Sequence, residues 1–142
     1  MIVKIKFKNK DVYGDLKSFN GDWIDLRTNE TITIKKNEFK IIDLGVAMQL
    51  PKGYEAIMVP RSSTFKKYGL LQTNSMAVID NNYRGDNDWW GLPVLATRDI
   101  TILKGTRLCQ FRLLKSMPEV TFNVAESFDT DSRGGFGSTG EL

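Results

Sequence analysis

The sequence predicts an all-β sandwich or barrel that ends in a glycine-rich arm. Three observations carry that expectation. Short stretches rich in Val, Ile, Thr and aromatic residues alternate polar with apolar. Turn residues separate them at the roughly 8–12-residue spacing typical of sandwiches and barrels. Only one short segment has helical character, so alternating β-α units are excluded.

Taken in order, Val3, Ile5 and Phe7 alternate with Lys4, Lys6 and Lys8, the pattern of a half-buried strand. "WIDLRT" (23–28) and "TITIKK" (31–36) read as two further strands joined through the turn-prone Asn29. "EFKIIDLGVAMQL" (38–50) is a long extended segment that Gly45 bulges or bends, stopping at Pro51-Lys52-Gly53. "YEAIMVP" (54–60) returns from that turn, and "STFKKYG" (63–69) has room for a helical turn or two. "SMAVID" (75–80), "LPVLATR" (92–98), "RLCQFRLLK" (107–115) and "VTFNV" (120–124) complete the strands, with no internal repeat. The hydrophobic alternation then ends. Residues 1–124 form the expected body, and 125–142, rich in Gly, Ser, Thr, Asp and Glu, read by composition as a flexible arm.

At 142 residues the chain is one domain's worth, with 41% hydrophobic and 26% charged residues, an ordinary globular balance. The net charge of +3 suits an anionic ligand, but Lys and Arg form no long run, so direct nucleic-acid binding is not expected. No apolar run reaches membrane-spanning length and no signal peptide is visible, so the expected setting is cytoplasmic and membrane-free. The absence of histidine excludes Ser-His and Cys-His nucleophiles and His-ligated zinc. The single cysteine, Cys109, excludes an internal disulfide and thiolate cages. Acid–base chemistry therefore falls to carboxylates, and any metal is a hard, oxygen-held cation such as Mg²⁺.

Five stretches stand out from a bare β scaffold. In "GDWIDLRT" Asp25 faces away from Ile24 and Leu26, either as a solvated strand aspartate or as part of a site. In "PRSST" (60–64) Arg61 precedes hydroxyls that enter a short helix; Ser62 and Ser63 are either N-caps or part of an anion site. "QTNSMAVIDNNYRGD" (72–86) sets Asp80 at a strand end just before Tyr83. Asn74 lies an even number of positions upstream, on Asp80's face if the strand is regular. "KGTRLCQFR" (104–112) brackets a strand with Arg107 and Gln110, and "DSRGGFGSTG" (131–140) sets Arg133, Phe136, Ser138 and Thr139 among glycines.

In this order and spacing the stretches resemble the five motifs of the homotrimeric deoxyuridine triphosphatases (dUTPases), of the phage and Bacillus-type branch. "GDWIDL" resembles the first, "PRSS" the second, "AVIDNNYRG" the third, "GTRLCQ" the fourth and "RGGFGSTG" the fifth. The resemblance implies a distorted jelly-roll-like barrel, three active sites between the subunits of a trimer, and Mg²⁺-dependent hydrolysis of dUTP to dUMP and pyrophosphate. Carried over, Asp80 orients the attacking water and Tyr83 packs on the deoxyribose, while Asn74 and the backbone from Ala77 to Ile79 read uracil. Arg61, Ser62, Ser63, Arg107 and Gln110 lie near the phosphates, with Asp25 supporting the metal region indirectly. Arg133, Gly137, Ser138 and Thr139 close on the outer phosphates, and Phe136 stacks over the base. Two departures are visible: Ala77 stands where the family usually has glycine, and the arginine of the fifth motif lies closer to "GFGSTG" than in many relatives. Trp89 and Trp90, in "DNDWWG", divide between core and subunit interface, or else one lends ring surface to the pocket mouth. Two alternatives to the hydrolase are a dCTP deaminase of the same fold and a phage relative acting through a regulatory protein partner.

Overall fold

The computed structural model describes residues 1–14 and 21–142. Among them are eleven strands and two short helices. The strands are β1 (Lys4–Phe7), β2 (Ile24–Arg27), β3 (Ile32–Ile34), β4 (Phe39–Asp43), β5 (Val46–Gln49) and β6 (Tyr54–Pro60), then β7 (Leu70–Gln72), β8 (Ala77–Ile79), β9 (Gly91–Ala96), β10 (Ile100–Ile102) and β11 (Arg107–Lys115). The helices are α1 (Lys10–Tyr13) and α2 (Thr64–Tyr68). No helix among the described residues is long and apolar enough to cross a membrane.

All pairings are antiparallel, in four sheets ordered β1-β5, β3-β10, β2-β11-β6-β8 and β4-β9-β7. Strands adjacent in sequence are mostly not neighbours in a sheet. β2 and β3, joined through Asn29, pair with β11 and β10 respectively. β6 leaves the Pro51–Gly53 turn to join β11 and β8 rather than β5. The inward side chains, among them Leu26, Ile34, Leu44, Leu92 and Leu108, are fully buried in a single core cluster. Burying a side chain of this size is worth about 1.5–3 kcal/mol each relative to exposure.

Gly45 is the bend expected in the long segment. Its φ of +64° breaks the run, so that β4 pairs with β9 and β5 with β1. A Cβ there would lie 2.5 Å from Asn29 Oδ1. Two strands were not legible in the sequence, β7 and β10, each of three residues. α1 was also unforeseen; its Tyr13 stacks on Phe7 at 5.0 Å and donates a hydrogen bond to the Leu44 carbonyl at 2.7 Å. The expected strand "VTFNV" is corrected: no strand forms after Lys115 among the described residues, and Phe122 and Val124 are exposed. The alternation is present, but nothing in the single chain pairs with it.

Gly45→Ala should destabilise the protein by about 2–3 kcal/mol, combining left-handed strain with displacement of Asn29. Urea unfolding followed by circular dichroism checks this, and an unchanged midpoint would contradict the bend's role.

Candidate active site

The sheet β2-β11-β6-β8 positions two groups of polar residues. The first arises where β2, β11 and the end of β6 meet. Asp25 lies opposite Gln110 in the β2–β11 register, and Gln110 lies opposite Val59 of β6. Leu26 points into the core, so Asp25 projects the other way, where Arg61 and Arg107 converge on it. Its Oδ1 lies 3.1 Å from Arg61 Nε and its Oδ2 3.3 Å from Arg107 Nη1. The three side chains are roughly a third to a half exposed, so these pairs add little stability, yet they fix two guanidinium groups side by side. Gln110 Nε2 donates to the Pro60 carbonyl at 3.3 Å.

Ser62 and Ser63 follow directly. Ser63 occupies the N-cap position of α2, but its side chain makes no capping bond. Thr64 does the anchoring: its buried hydroxyl accepts from the Arg61 N–H at 3.1 Å and donates to the Leu108 carbonyl at 2.5 Å.

The second group surrounds a cavity of about 320 Å³ lined by Asn74, Ala77, Ile79, Tyr83, Trp89 and Trp90, with Met58 and Gly91 among its other walls. Asn74 reaches it by a route the even spacing does not describe. The segment is not one regular strand: β7 ends at Gln72, and a turn with Ser75 at φ +57° precedes β8. Gln72 Nε2 donates to Asn74 Oδ1 at 3.0 Å and to the Met58 carbonyl at 3.2 Å. That leaves the Asn74 amide NH₂ as the end available to a ligand. β8 pairs with β6 and is the last strand of its sheet, so its outer backbone edge carries unpaired donors and acceptors.

Asp80 follows β8 and is exposed; its Oδ1 accepts from the Asn82 N–H at 2.7 Å and its carbonyl from the Tyr83 N–H at 3.0 Å. This side-chain-closed turn aims Tyr83, whose hydroxyl donates to the Trp89 carbonyl at 2.9 Å. The loop is braced from below: Asn81 Nδ2 donates to the carbonyls of Pro51 and Tyr54 at 2.9 and 2.8 Å, and Arg84 Nη1 to Asn81 Oδ1 at 2.8 Å. Trp90 is core, packed edge-on to Phe111 at 5.1 Å, whereas Trp89 is half-buried.

The structure thus brings Asp25, Arg61, Arg107 and Gln110 together, and gathers Asn74, Ala77, Ile79 and Tyr83 with Asp80 adjoining. It leaves Arg133, Phe136, Gly137, Ser138 and Thr139 apart. Among the described residues, no hydrogen bond or ion pair ties 117–142 to the strands. Phe136 is fully exposed, in a turn closed by the Ser138 N–H on the Gly135 carbonyl at 3.0 Å. Sequence reasoning missed Gln72, Thr64, Asn81 and Arg84; only the position of Gln72 two residues before Asn74 hinted at such a role.

The dUTPase family model matches residues 23–140, spanning both groups and the arm. The chain belongs to the dUTPase family. It is 54% identical over 140 residues to the SPbeta prophage-derived deoxyuridine 5'-triphosphate nucleotidohydrolase YosS of Bacillus subtilis, covering 99% of each chain. Among solved structures it resembles the Staphylococcus bacteriophage 80alpha dUTPase with dUpNHpp, at a TM-score of 0.78 and 21% identity, covering 99% of each chain. It also resembles a point mutant of the dUTPase from the Staphylococcus aureus phage phi11, in which a structural Mg(II) ion is coordinated, at a TM-score of 0.73 and 16% identity, covering 92% of this chain and 100% of that one. These likenesses establish the jelly-roll-like dUTPase fold for the β body.

Cys109 sits in β11 beside the dUTPase's charged group, fully buried, with Sγ 3.5 Å from Met58 Sδ. Burial, and then the charge of Asp25, pushes its thiol far above the ordinary range. The native protein should therefore resist thiol reagents at pH 8 and react with one equivalent once unfolded; rapid labelling of the native state would contradict the burial.

Proposed function

We propose that this dUTPase hydrolyses dUTP to dUMP and pyrophosphate with Mg²⁺, by attack of water on the α-phosphorus, at sites shared between the subunits of a homotrimer. The observation that carries this reading is the cavity in which an unpaired strand edge, an oriented amide and a tethered tyrosine converge beside a carboxylate. Identity to a named dUTP nucleotidohydrolase supports hydrolysis over deamination of dCTP.

Uracil presents donors and acceptors along one edge, and the free edge of β8 between Ala77 and Ile79 offers the complementary backbone groups, with the Asn74 NH₂ as a further donor. The Tyr83 ring lies against the deoxyribose and leaves no space for a 2′-hydroxyl. Its bond to the Trp89 carbonyl keeps it from yielding. Asp80 commits Oδ1 to the Asn82 N–H, which leaves Oδ2 to orient water and take its proton. Phosphoryl transfer asks mainly for positioning and charge neutralisation. Arg61 and Arg107, aligned by Asp25, supply fixed positive charge, with Ser62, Ser63 and Gln110 as nearby polar groups.

Mg²⁺ fits a donor set made of carboxylate and phosphate oxygens. Both oxygens of Asp25 already hold guanidinium groups, so the ion would be held mainly by substrate phosphates and Asp25 would act through its arginines. When bound, it neutralises phosphate charge. The arm completes the site, with Arg133, Gly137, Ser138 and Thr139 at the outer phosphates and Phe136 over the base.

The trimer reading rests on surfaces that one chain leaves open. Phe39, Ile41 and Leu71 are exposed on the sheet β4-β9-β7, and Val120, Phe122 and Val124 alternate along an unpaired segment. An apolar sheet face and an unpaired strand of this kind suit burial against further copies. A regulatory protein partner is a second reading, raised by the 80alpha dUTPase, which belongs to a group of phage dUTPases described as controlling transfer of virulence genes.

With dUTP and Mg²⁺ the protein should release pyrophosphate and leave dCTP, dTTP and UTP nearly untouched; equal turnover of all four would sink the reading. In ¹⁸O-water the label should enter dUMP. Removal of residues 133–142 should leave a folded protein whose turnover falls by on the order of 10²-fold or more, and wild-type turnover would remove the arm from the site.

A further inference from the structure

We infer that Gln72 of β7 is a positioning residue that sets the preference for uracil over cytosine, by holding the Asn74 amide with its NH₂ toward the base. The inference rests on the dUTPase reading of the cavity and adds to it a residue that lies outside all five motifs.

Main-chain bonds fix the backbone around Asn74. The Thr73 N–H donates to the Pro93 carbonyl at 3.1 Å, the Ser75 N–H to the Gln72 carbonyl at 3.3 Å, and the Met76 N–H to the Asn74 carbonyl. None of these bonds decides which end of the side-chain amide meets a ligand. The two ends are alike in shape, so a half-turn about the last torsion exchanges a donor for an acceptor at little steric cost. Asn74 is exposed, so packing does not decide it either.

Polarity reaches Asn74 in two steps from a group that cannot reverse. The Met58 carbonyl of β6 only accepts, and Gln72 Nε2 donates to it at 3.2 Å. The same nitrogen donates to Asn74 Oδ1 at 3.0 Å. With Gln72 reversed, its Oε1 would oppose both the Met58 carbonyl and the Asn74 oxygen; with Asn74 alone reversed, two NH₂ groups would meet. Both hydrogens of the Gln72 amide are used in this way, and its Oε1 stays buried without a partner. A buried unpaired acceptor costs stability that an aliphatic side chain would avoid, which sets Gln72 apart from a residue kept for packing. The enforced polarity also points to the contact it serves. Uracil and cytosine share the carbonyl at position 2, where a freely turning amide would fit either base. At position 4 uracil has a carbonyl and cytosine an amine, and a free amide would turn its oxygen to the amine. Only an amide held as a donor rejects cytosine there, so the Asn74 NH₂ meets position 4.

Q72M keeps the length of the side chain and removes its amide. It should raise the KM for dUTP by about threefold to tenfold and leave kcat within about twofold. It should also lower the affinity for dUMP relative to dCMP by about fivefold to tenfold, measured by calorimetric titration. N74A should lower the same preference, and adding Q72M to it should cost little more, as expected if the glutamine acts only through Asn74. A measurement on the wild-type protein needs no variant. In ¹⁵N-resolved spectra the Gln72 side-chain NH₂ should exchange with solvent more slowly than that of Asn74, and the Asn74 NH₂ should shift on addition of dUMP. An unchanged preference in Q72M, full additivity with N74A, or an Asn74 NH₂ indifferent to dUMP would each overturn the relay. A wild-type protein that keeps the slow Gln72 exchange but is inactive on dUTP would instead overturn the functional reading on which the relay rests.

Discussion

The antiparallel ladder between β6 and β11 runs from Cys109 opposite Pro60 to Lys115 opposite Tyr54, and the functional groups take their places from it. β11 carries Arg107 and Gln110 on one side of the charged group, while β6 runs out into Arg61. β2 adds Asp25 along the other edge of β11, and β8 adds the cavity wall along the other edge of β6. A one-residue slip of β11 against β6 would turn Cys109 and Phe111 outward and Gln110 inward. The buried face, with Met58, Cys109 and Phe111 nearly inaccessible, sets the register. Hydrophobic burial under the sheet therefore decides where the charges above it meet.

The cavity inverts the usual rules of a stable fold. An unpaired strand edge is ordinarily a liability, and buried polar atoms are ordinarily paired. Here the edge of β8 is left open beside the cavity, and two of the buried side-chain polar atoms without a partner, Trp90 Nε1 and Gln72 Oε1, belong to residues in or next to its wall. Such departures cost stability where they occur and persist at sites that recognise a ligand. The braces around them are correspondingly dense: Asn81 and Arg84 under the loop, Gln72 behind Asn74, Thr64 behind Arg61.

What the sequence could and could not disclose follows from the range of each interaction. Period-2 alternation is local, so β1, β2, β6 and β11 were legible directly, and the five motifs were legible as a series. Three-residue strands such as β7 and β10 hold too few alternations to stand out. Pairing partners are not local, which is why β2 and β3 separate into different sheets and why "VTFNV" alternates without forming a strand here. Asp25 illustrates the same limit. Its two readings, solvated aspartate or site residue, are decided only by Arg61 and Arg107, which come from other strands. The expected face shared by Asn74 and Asp80 failed because a turn interrupts the strand, yet Asn74 still lines the cavity, brought there by the turn and oriented by a glutamine that no spacing rule singles out.

The contrast between the braced cavity and the unattached arm has a thermodynamic reading. A wall that discriminates uracil from cytosine and deoxyribose from ribose must hold its shape before ligand arrives, because a yielding wall would accommodate the wrong nucleotide. Loop 80–90, tied by Asn81, Arg84 and Tyr83, meets that requirement in the free chain. Phosphate closure has the opposite requirement, since a permanently docked arm would block entry and exit. In the proposed function, glycines at positive φ, Gly134 and Gly137, would let the arm turn tightly around an anion, and the conformational entropy lost in ordering so many residues would be offset by a bound triphosphate. On this reading selection precedes closure: the rigid half chooses the nucleotide, and the interactions of its phosphates then recruit the arm.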